Sequence, residues 1–334
     1  MYFAAKYKLF PSTQYGGISG RSAQDAMMAI SHDIEAAWNH DRAVTMLTFN
    51  ITGFFDTILH SYLLDTLRKF HIPIPVVKWV KSFLQGHKAA ICLDGKHNEL
   101  KEVQTGMLQG SCASLILAAY FTAPLGDSIK QGFKSTIQQD PELSSALNPL
   151  RNSLAPLTLY VDDRSIAASA RDRTTASKMV EIAFREAHQW LTARGLKLDQ
   201  VKNELIHFTR SRRGRHAGDG PSVTIPTNTP GEQKTVKPAK SIHYLGIWLD
   251  LQLNFNEHVQ KTMSKALTAT HALKILGNSL RGMHQEHTRR IYIGAIHPIT
   301  TYGLPIFWKS KNGKLQMTLV TTQNKCLHMI TGVF

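Results

Sequence analysis

Leu157-Thr158-Leu159-Tyr160-Val161-Asp162-Asp163-Arg164-Ser165-Ile166-Ala167 is the stretch that decides the fold. Apolar residues run into a pair of acids and apolar residues run out again. That pattern reads as a β-hairpin whose tight turn carries two carboxylates. Adjacent acids at a hairpin tip repel, and the strands beneath them cannot neutralise the charge. A divalent cation with oxygen ligands, most naturally Mg²⁺, relieves that repulsion. The plain alternative is a solvated turn, because Asp is a common turn residue.

Beyond the hairpin, the spacing predicts a helix over residues 174–194. Met179, Ile182, Ala183, Ala187, Trp190 and Leu191 lie on its core face, and Gly195 is its C-cap. Residues 196–208 then turn and return as a strand. Before the hairpin, residues 88–104 alternate as a second hairpin with Asp94-Gly95 at its turn. A loop of small residues, Thr105 to Ser114, leads into an apolar helix over 115–125, and such a junction points backbone N–H groups outward. Farther back, Ala43 to Phe49 reads as a buried strand ending in Asn50-Ile51-Thr52-Gly53-Phe54-Phe55-Asp56. Helices follow from about His60 and over 76–84. A glycine-rich loop, Pro11 to Ser22, precedes the first helix, with Ser22 as N-cap and Asp25 in a capping-box place. That loop is either an ordinary glycine turn or one whose main chain approaches a phosphate backbone beside Arg21.

Residues 136–153 read as a polar surface insertion. Residues 209–240, with Arg210, Arg212, Arg213, Arg215 and His216, read as a mobile basic loop. His243 to Leu249 reads as a short strand, and 256–334 as mostly helical and basic.

The 334 residues include 43% hydrophobic and 19% charged residues, the composition of a packed chain. The net charge of +15 calls for a polyanionic partner, nucleic acid first and an anionic membrane surface second. No run of roughly 18 apolar residues is evident, so no membrane span is expected. Cys92, Cys112 and Cys326 are too few and too scattered for a zinc site and fit a reducing compartment. The five Trp residues are expected in the core rather than as base-stacking platforms, and the His residues show no metal-binding spacing.

The order of these parts resembles the reverse transcriptase domain of non-LTR (LINE-type) retrotransposons over residues 11–334. Gln14-Tyr15-Gly16-Gly17 with Arg21-Ser22 and Asp25-Ala26 is similar to the fingers-side entry segment. Phe49 to Asp56 resembles motif A, Gly106-Met107-Leu108-Gln109-Gly110-Ser111 motif B, and Tyr160 to Asp163 motif C. Gly195-Leu196-Lys197 with Lys202 resembles motif D, and Tyr244-Leu245-Gly246 motif E. The resemblance implies an α+β right-hand polymerase. Residues 1–42 would be a partial fingers segment, 43–250 the palm, and 251–334 a helical thumb. It implies RNA-directed DNA synthesis with an RNA template, a DNA primer and dNTPs, inside the cell, nuclear or cytoplasmic.

The family's chemistry uses two Mg²⁺ (or Mn²⁺) ions about 3.5–4 Å apart. Carried over by position, Asp162 ligates metal and Asp163 assists. Phe55 falls at the steric gate under the sugar. Gln109 and Gly110 fall where template and incoming nucleotide pack, Arg21 lies beside the entry loop, and Lys202 falls where a motif D lysine protonates the leaving pyrophosphate.

The match breaks at particular positions. The family has Asp where this chain has Asn50, and Pro where it has Leu108 and Leu115. Phe54 stands where Ala is frequent, and Leu59 and Arg164 where Pro and Gly are frequent. Asp→Asn and Pro→Leu are single transitions, which implies a truncated, decayed copy; related copies without that bias would contradict this. The alternative function is a non-catalytic relic that still binds RNA or an RNA–DNA hybrid.

Overall fold

The structure, a computed structural model, describes residues 6–90, 92–139, 157–210, 220–276, 282–308 and 313–331. The polar stretch 140–156 and the arginines at 212, 213 and 215 lie outside the described residues. The chain divides into two compact units, residues 1–240 and 241–334. The Tyr244-Leu245-Gly246 segment therefore belongs with the helical unit.

The first unit is built on a four-stranded antiparallel sheet in the order β6-β7-β1-β8. These strands are Leu157–Tyr160 (β6), Asp163–Ala170 (β7), Ala43–Asn50 (β1) and Glu204–Phe208 (β8). β1 is apolar on both faces and takes a central place, and six of its eight residues are buried. Its pairing with β7 sets Ala43 against Ala170 and ends with Asn50 against Asp163. A slip of one residue would turn every side chain to the wrong face, so the buried pattern fixes this register.

Helix α1 (Ala23–Asn39) starts with the expected capping box: Ser22 Oγ accepts from the Asp25 amide at 3.2 Å, and the Ser22 amide donates to Asp25 Oδ2 at 2.7 Å. α2 (Phe54–Thr57), α3 (His60–Lys69) and α4 (Ile74–Leu84) follow β1. Short strand pairs, Lys88–Ala89 (β2) with Lys101–Glu102 (β5) and Cys92–Leu93 (β3) with Lys96–His97 (β4), make the second hairpin. Asp94 and Gly95 at its tip have φ of 49° and 75°, the two left-handed residues of a type I′ turn.

Helix α5 runs from Cys112 to Gln139, well beyond the expected 115–125. Contrary to the expectation above, it has the length and composition to cross a bilayer over Cys112–Thr136. Its apolar side is spent on the core instead. Leu117, Phe121, Leu125, Ile129 and Phe133 are all buried there, and Phe121 meets Trp190 edge-on at 5.9 Å. Helix α6 (Arg173–Thr192) lies against α5 and the sheet, with Phe184 against Phe49 of β1 at 5.1 Å. It closes with Gly195 at φ 72°, where Gly195 N–H reaches Thr192 O and Leu196 N–H reaches Leu191 O, a Schellman pair.

Residues 220–240, expected as loop, are ordered. Val223–Pro226 (β9) and Gln233–Val236 (β10) pair antiparallel, with Val223, Ile225 and Val236 in the main core. Val223 and Ile225 alternate with Thr224 and Pro226 and point to the core, so a short strand signal is present; the Gly, Pro and Lys around it obscure it.

The second unit begins with the hairpin Ser241–Tyr244 (β11) and Ile247–Asp250 (β12). Its turn residues Leu245 and Gly246 have φ of 48° and 79°. A Cβ at Gly246 would meet Tyr302 Cε1 at 2.9 Å, and Tyr302 Oη donates to Leu245 O at 2.8 Å. Helices α7 (Asn256–Leu276), α8 (Gln285–Ile291), α9 (His297–Thr301), α10 (Leu304–Phe307) and α11 (Gly313–Thr331) complete the unit. A π-helical turn, Tyr292–Ile296, joins α8 to α9. Of the five Trp residues, Trp190 is buried as expected, whereas Trp79 and Trp308 are about half exposed.

His207 of β8 is buried and neutral by its contacts. Its Nε2 faces the carbonyl of Pro221 at 3.0 Å and so carries the proton, and its Nδ1 accepts from Thr45 Oγ1 at 2.9 Å. Burial, the larger effect, lowers its pKa; the nearby Arg173 charge also lowers it, and the Pro221 contact opposes them. The unfolded chain therefore takes up a proton that the folded chain resists. This contribution to stability is complete above about pH 6.5 and is lost as pH falls through the depressed folded value. Thermal melts between about pH 7.5 and about pH 5 should show a falling Tm, and His207→Gln should flatten that fall by up to about one proton.

Candidate active site

The tip of the β6–β7 hairpin is a two-residue turn, Val161-Asp162, between the paired residues Tyr160 and Asp163. Val161 has φ 56°, a left-handed conformation that a β-branched side chain resists. The surrounding chain holds it there. Residues 13–16 run along β6: Tyr15 N–H donates to Leu159 O at 2.8 Å, and Leu159 N–H donates to Thr13 O at 3.0 Å. Gly16 then passes so close to the turn that a Cβ there would lie 2.4 Å from Val161 N and 2.9 Å from Tyr160 C.

Arg164 holds the tip from the other side. Its side chain is fully buried, its Nη1 donates to Asp162 O at 2.7 Å, and its guanidinium lies 4.8 Å from the centre of the Phe54 ring. Arg21 acts at the entry loop. Its Nη1 donates to Ser12 O at 2.9 Å, to Pro11 O at 3.3 Å and to Gln14 O, and its guanidinium lies over the Tyr15 ring at 5.6 Å. These contacts brace the strand-like segment that carries Gly16.

The register places Asn50 directly opposite Asp163, and the Asn50 side chain hydrogen-bonds the Asp163 carboxylate. Burial pushes the Asp163 pKa up and the adjacent Asp162 charge adds to that; the Asn50 hydrogen bond and the charges of Arg164 and Lys202 pull it back. Asp162 itself is exposed. The segment after α6 closes the site: Asp199 N–H donates to Asn50 O at 2.9 Å, Thr52 N–H donates to Lys197 O at 2.9 Å, and Lys202 Nζ lies 3.7 Å from Asp199 Oδ2.

The unexpected β9–β10 hairpin supports this segment. Asn228 at its tip accepts from Leu198 N–H at 3.0 Å and donates to Leu198 O at 2.8 Å, as a strand would. Lys234 Nζ donates to Gln200 O.

A second cluster forms around α2. A Cβ at Gly106 would lie 2.8 Å from Asp56 O, so only glycine lets this loop lie against α2. Met107 N–H donates to Phe55 O at 2.7 Å, and Gln109 Nε2 donates to both Asp56 oxygens at 3.0 and 3.1 Å. Phe55 is half-buried and meets Phe54 edge-on at 5.5 Å. Gly110, at φ 86°, has open space around it.

Asn50, Asp162, Asp163 and Lys202 thus gather at the hairpin tip, and Phe55, Gln109 and Gly110 gather at α2. Phe54 touches both groups through Phe55 and Arg164. Arg21 stands apart as a brace. Sequence reasoning named Arg164, Gly16, Asp56 and Gln109 without these contacts, and it missed Asn228.

The donor set of two carboxylates and one amide oxygen suits a single oxygen-ligated divalent cation. Among the described residues no three or more His, Cys, Asp or Glu side chains gather where they could hold a metal. Asn50 contributes an uncharged amide to this set where a third carboxylate would add charge.

Gly16→Ala should cost about 1–3 kcal/mol in chemical denaturation, because the clash is with backbone rather than a movable side chain. Asn228→Ala should cost a similar amount, about 1–3 kcal/mol, by leaving the Leu198 amide and carbonyl without their partners. Hydrogen exchange at the Leu198 amide should speed up in that variant; unchanged protection there would mean the hairpin does not brace the turn.

Residues 3–249 match the family described as reverse transcriptase (RNA-dependent DNA polymerase). A probable RNA-directed DNA polymerase from transposon BS of Drosophila melanogaster is 22% identical over 327 residues, covering 97% of this chain and 33% of its own length. The RNA-directed DNA polymerase from mobile element jockey of Drosophila funebris is 22% identical over 278 residues, covering 83% of this chain and 27% of its own. The chain thus spans about a third or less of the length of these relatives. Among solved structures, apo telomerase from Candida tropicalis aligns with a TM-score of 0.48 at 12% identity, over 98% of this chain and 54% of that one. With its antiparallel sheet, its paired-Asp hairpin and a family match over most of its length, this chain belongs to the reverse transcriptase (RNA-dependent DNA polymerase) family.

Proposed function

We propose that this domain holds an RNA template and a DNA primer for RNA-directed DNA synthesis, and that its nucleotidyl transfer is strongly weakened at one position, Asn50. The observation that carries this reading is the placement of Asn50 opposite Asp163, with its amide on the carboxylate. In the family an acid stands there.

Within this reading, Asp162 and Asp163 supply the charged ligands for Mg²⁺ or Mn²⁺, and the Asn50 amide oxygen is a neutral third. When bound, the cation provides Lewis-acid activation of the primer 3′-hydroxyl. The protein's own groups do the rest. Phe55 lies beneath the incoming sugar and excludes a 2′-hydroxyl. Gln109 and Gly110 pack the templated nucleotide, with the Gln109 amide already oriented by Asp56. Lys202 donates a proton towards the departing pyrophosphate. The net charge of +15 favours the phosphate backbones of both strands.

Losing the bridging carboxylate removes several kcal/mol of transition-state stabilisation, on the order of a thousand-fold in rate. Primer extension on an RNA template with Mg²⁺ or Mn²⁺ should therefore give little or no product with the native chain and substantially more with Asn50→Asp. Efficient extension by the native chain would overturn the weakened-site reading. If neither chain extends a primer but both bind an RNA–DNA hybrid in a salt-sensitive way, the chain is a binding relic of the same fold. That second reading draws on the same missing charge at position 50.

A further inference from the structure

Helix α4 contributes nothing to the active site, yet its outer face has an uncommon composition. Trp79 is 56% exposed and stacks on Phe83 with the ring planes 14° apart and their centres 5.6 Å apart. Phe83 continues edge-on to His87 at 6.1 Å, so three aromatic rings climb in steps of four residues. Ile74 and Val76, also exposed, lie at the start of the same helix. A solitary exposed Trp needs no explanation. A Trp already stacked on a second ring, leaving much of its surface to solvent, is a platform.

Positive charge dominates around it. From Thr66 to Leu93 the chain has Arg68, Lys69, Lys78, Lys81 and Lys88 and no Asp or Glu, although Arg68 pairs with Asp65 at 2.7 Å and Lys88 stands opposite Glu102 across the β2–β5 pair. Lys78 and Lys81 are exposed on α4 itself, and Lys88 is exposed just past its end. An apolar protein partner would gain little from Lys78 and Lys81, both exposed on the helix that carries Trp79. A polyanion with flat, stackable groups satisfies both the charge and the ring face.

We propose that the outer face of α4 is a docking site for an unpaired nucleic-acid strand. A base stacks on the open side of Trp79, and backbone phosphates lie against Lys78, Lys81 and Lys88. Every base has a stackable face, so the site is indifferent to sequence. It takes strand that is not in the duplex, such as template ahead of or beyond the paired region. The inference deepens the proposed template binding, but it concerns a different surface and a different state of the nucleic acid.

The test is fluorescence anisotropy with a labelled oligo(dT) or oligo(U) of about 16 nucleotides, at several salt concentrations. Trp79→Ala should weaken binding by roughly 5- to 100-fold with little change in salt slope, and Trp79→Phe should stay within roughly 3-fold of wild type. Lys78→Gln with Lys81→Gln should instead reduce the salt slope. All three proteins should keep their melting temperature and their affinity for a blunt RNA–DNA hybrid. Oligonucleotide binding by Trp79→Ala within 2-fold of wild type would overturn the site. So would a wild-type dimer in sedimentation that Trp79→Ala dissociates, because the face would then belong to a second copy of this chain. Loss of hybrid binding by the wild-type chain would count against the proposed function and leave the single-strand result to be judged separately.

Discussion

Two adjacent carboxylates stay at a hairpin tip only if the backbone beneath them cannot move. Here that backbone is held against both charge repulsion and an unfavourable dihedral at Val161. Gly16 presses on the turn from the sheet edge, Arg164 grips the Asp162 carbonyl from inside, and β1 sets Asn50 against Asp163. Burying a guanidinium costs several kcal/mol unless its surroundings compensate. The carbonyl and the Phe54 ring provide part of that compensation. Arg164 and Phe54 touch each other. At this tip a neutral amide at position 50 faces one carboxylate, and a buried guanidinium at 164 lies against the turn that carries the other.

The two side-chain clusters answer to different parts of the chain. The acids depend on the edge strand, on β1 and on the turn after α6, which Asn228 braces from the β9–β10 hairpin. The Phe55–Gln109 group depends on a glycine that lets one loop lie on the backbone of α2. Phe54 is the physical link between them, with one ring shared by Arg164 and Phe55. A change at Phe54 would therefore reach both the paired-Asp tip and the loop that carries Gln109.

Much of this was legible in the sequence. The strand ending at Asn50, the capping box at Ser22, the Asp94-Gly95 turn and the glycine at 195 all follow local rules that tertiary structure did not override. The paired-Asp hairpin was readable because its flanks are apolar on both sides. Three things were not readable. The β9–β10 strands are four residues each and sit among Gly, Pro and Lys, so their alternation is too brief to stand out. α5 extends past the apolar run because its polar later turns still place Ile129 and Phe133 on the core side. Nothing local marks Arg164 as buried, and only the fold shows that its position in β7 turns it inward. Trp79 errs the other way: a residue that composition assigns to the core lies outside.

The π-helical turn between α8 and α9 shows how the second unit keeps a single seam. Thr288, Tyr292, Ile296 and Thr300 are all buried, each four residues after the last. In a regular α-helix such a series winds around the axis by about 40° at every step, and by its fourth member it would have left the starting face. The wider turn at Tyr292–Ile296 runs slow and restores the phase, so all four still point the same way. A π-turn of this kind is the footprint of one inserted residue. Removing a residue there would restore regular winding and rotate everything downstream, starting with the Tyr302 ring that sits under the Leu245-Gly246 turn. The spacing of that segment, more than its composition, is what the helical unit cannot afford to lose.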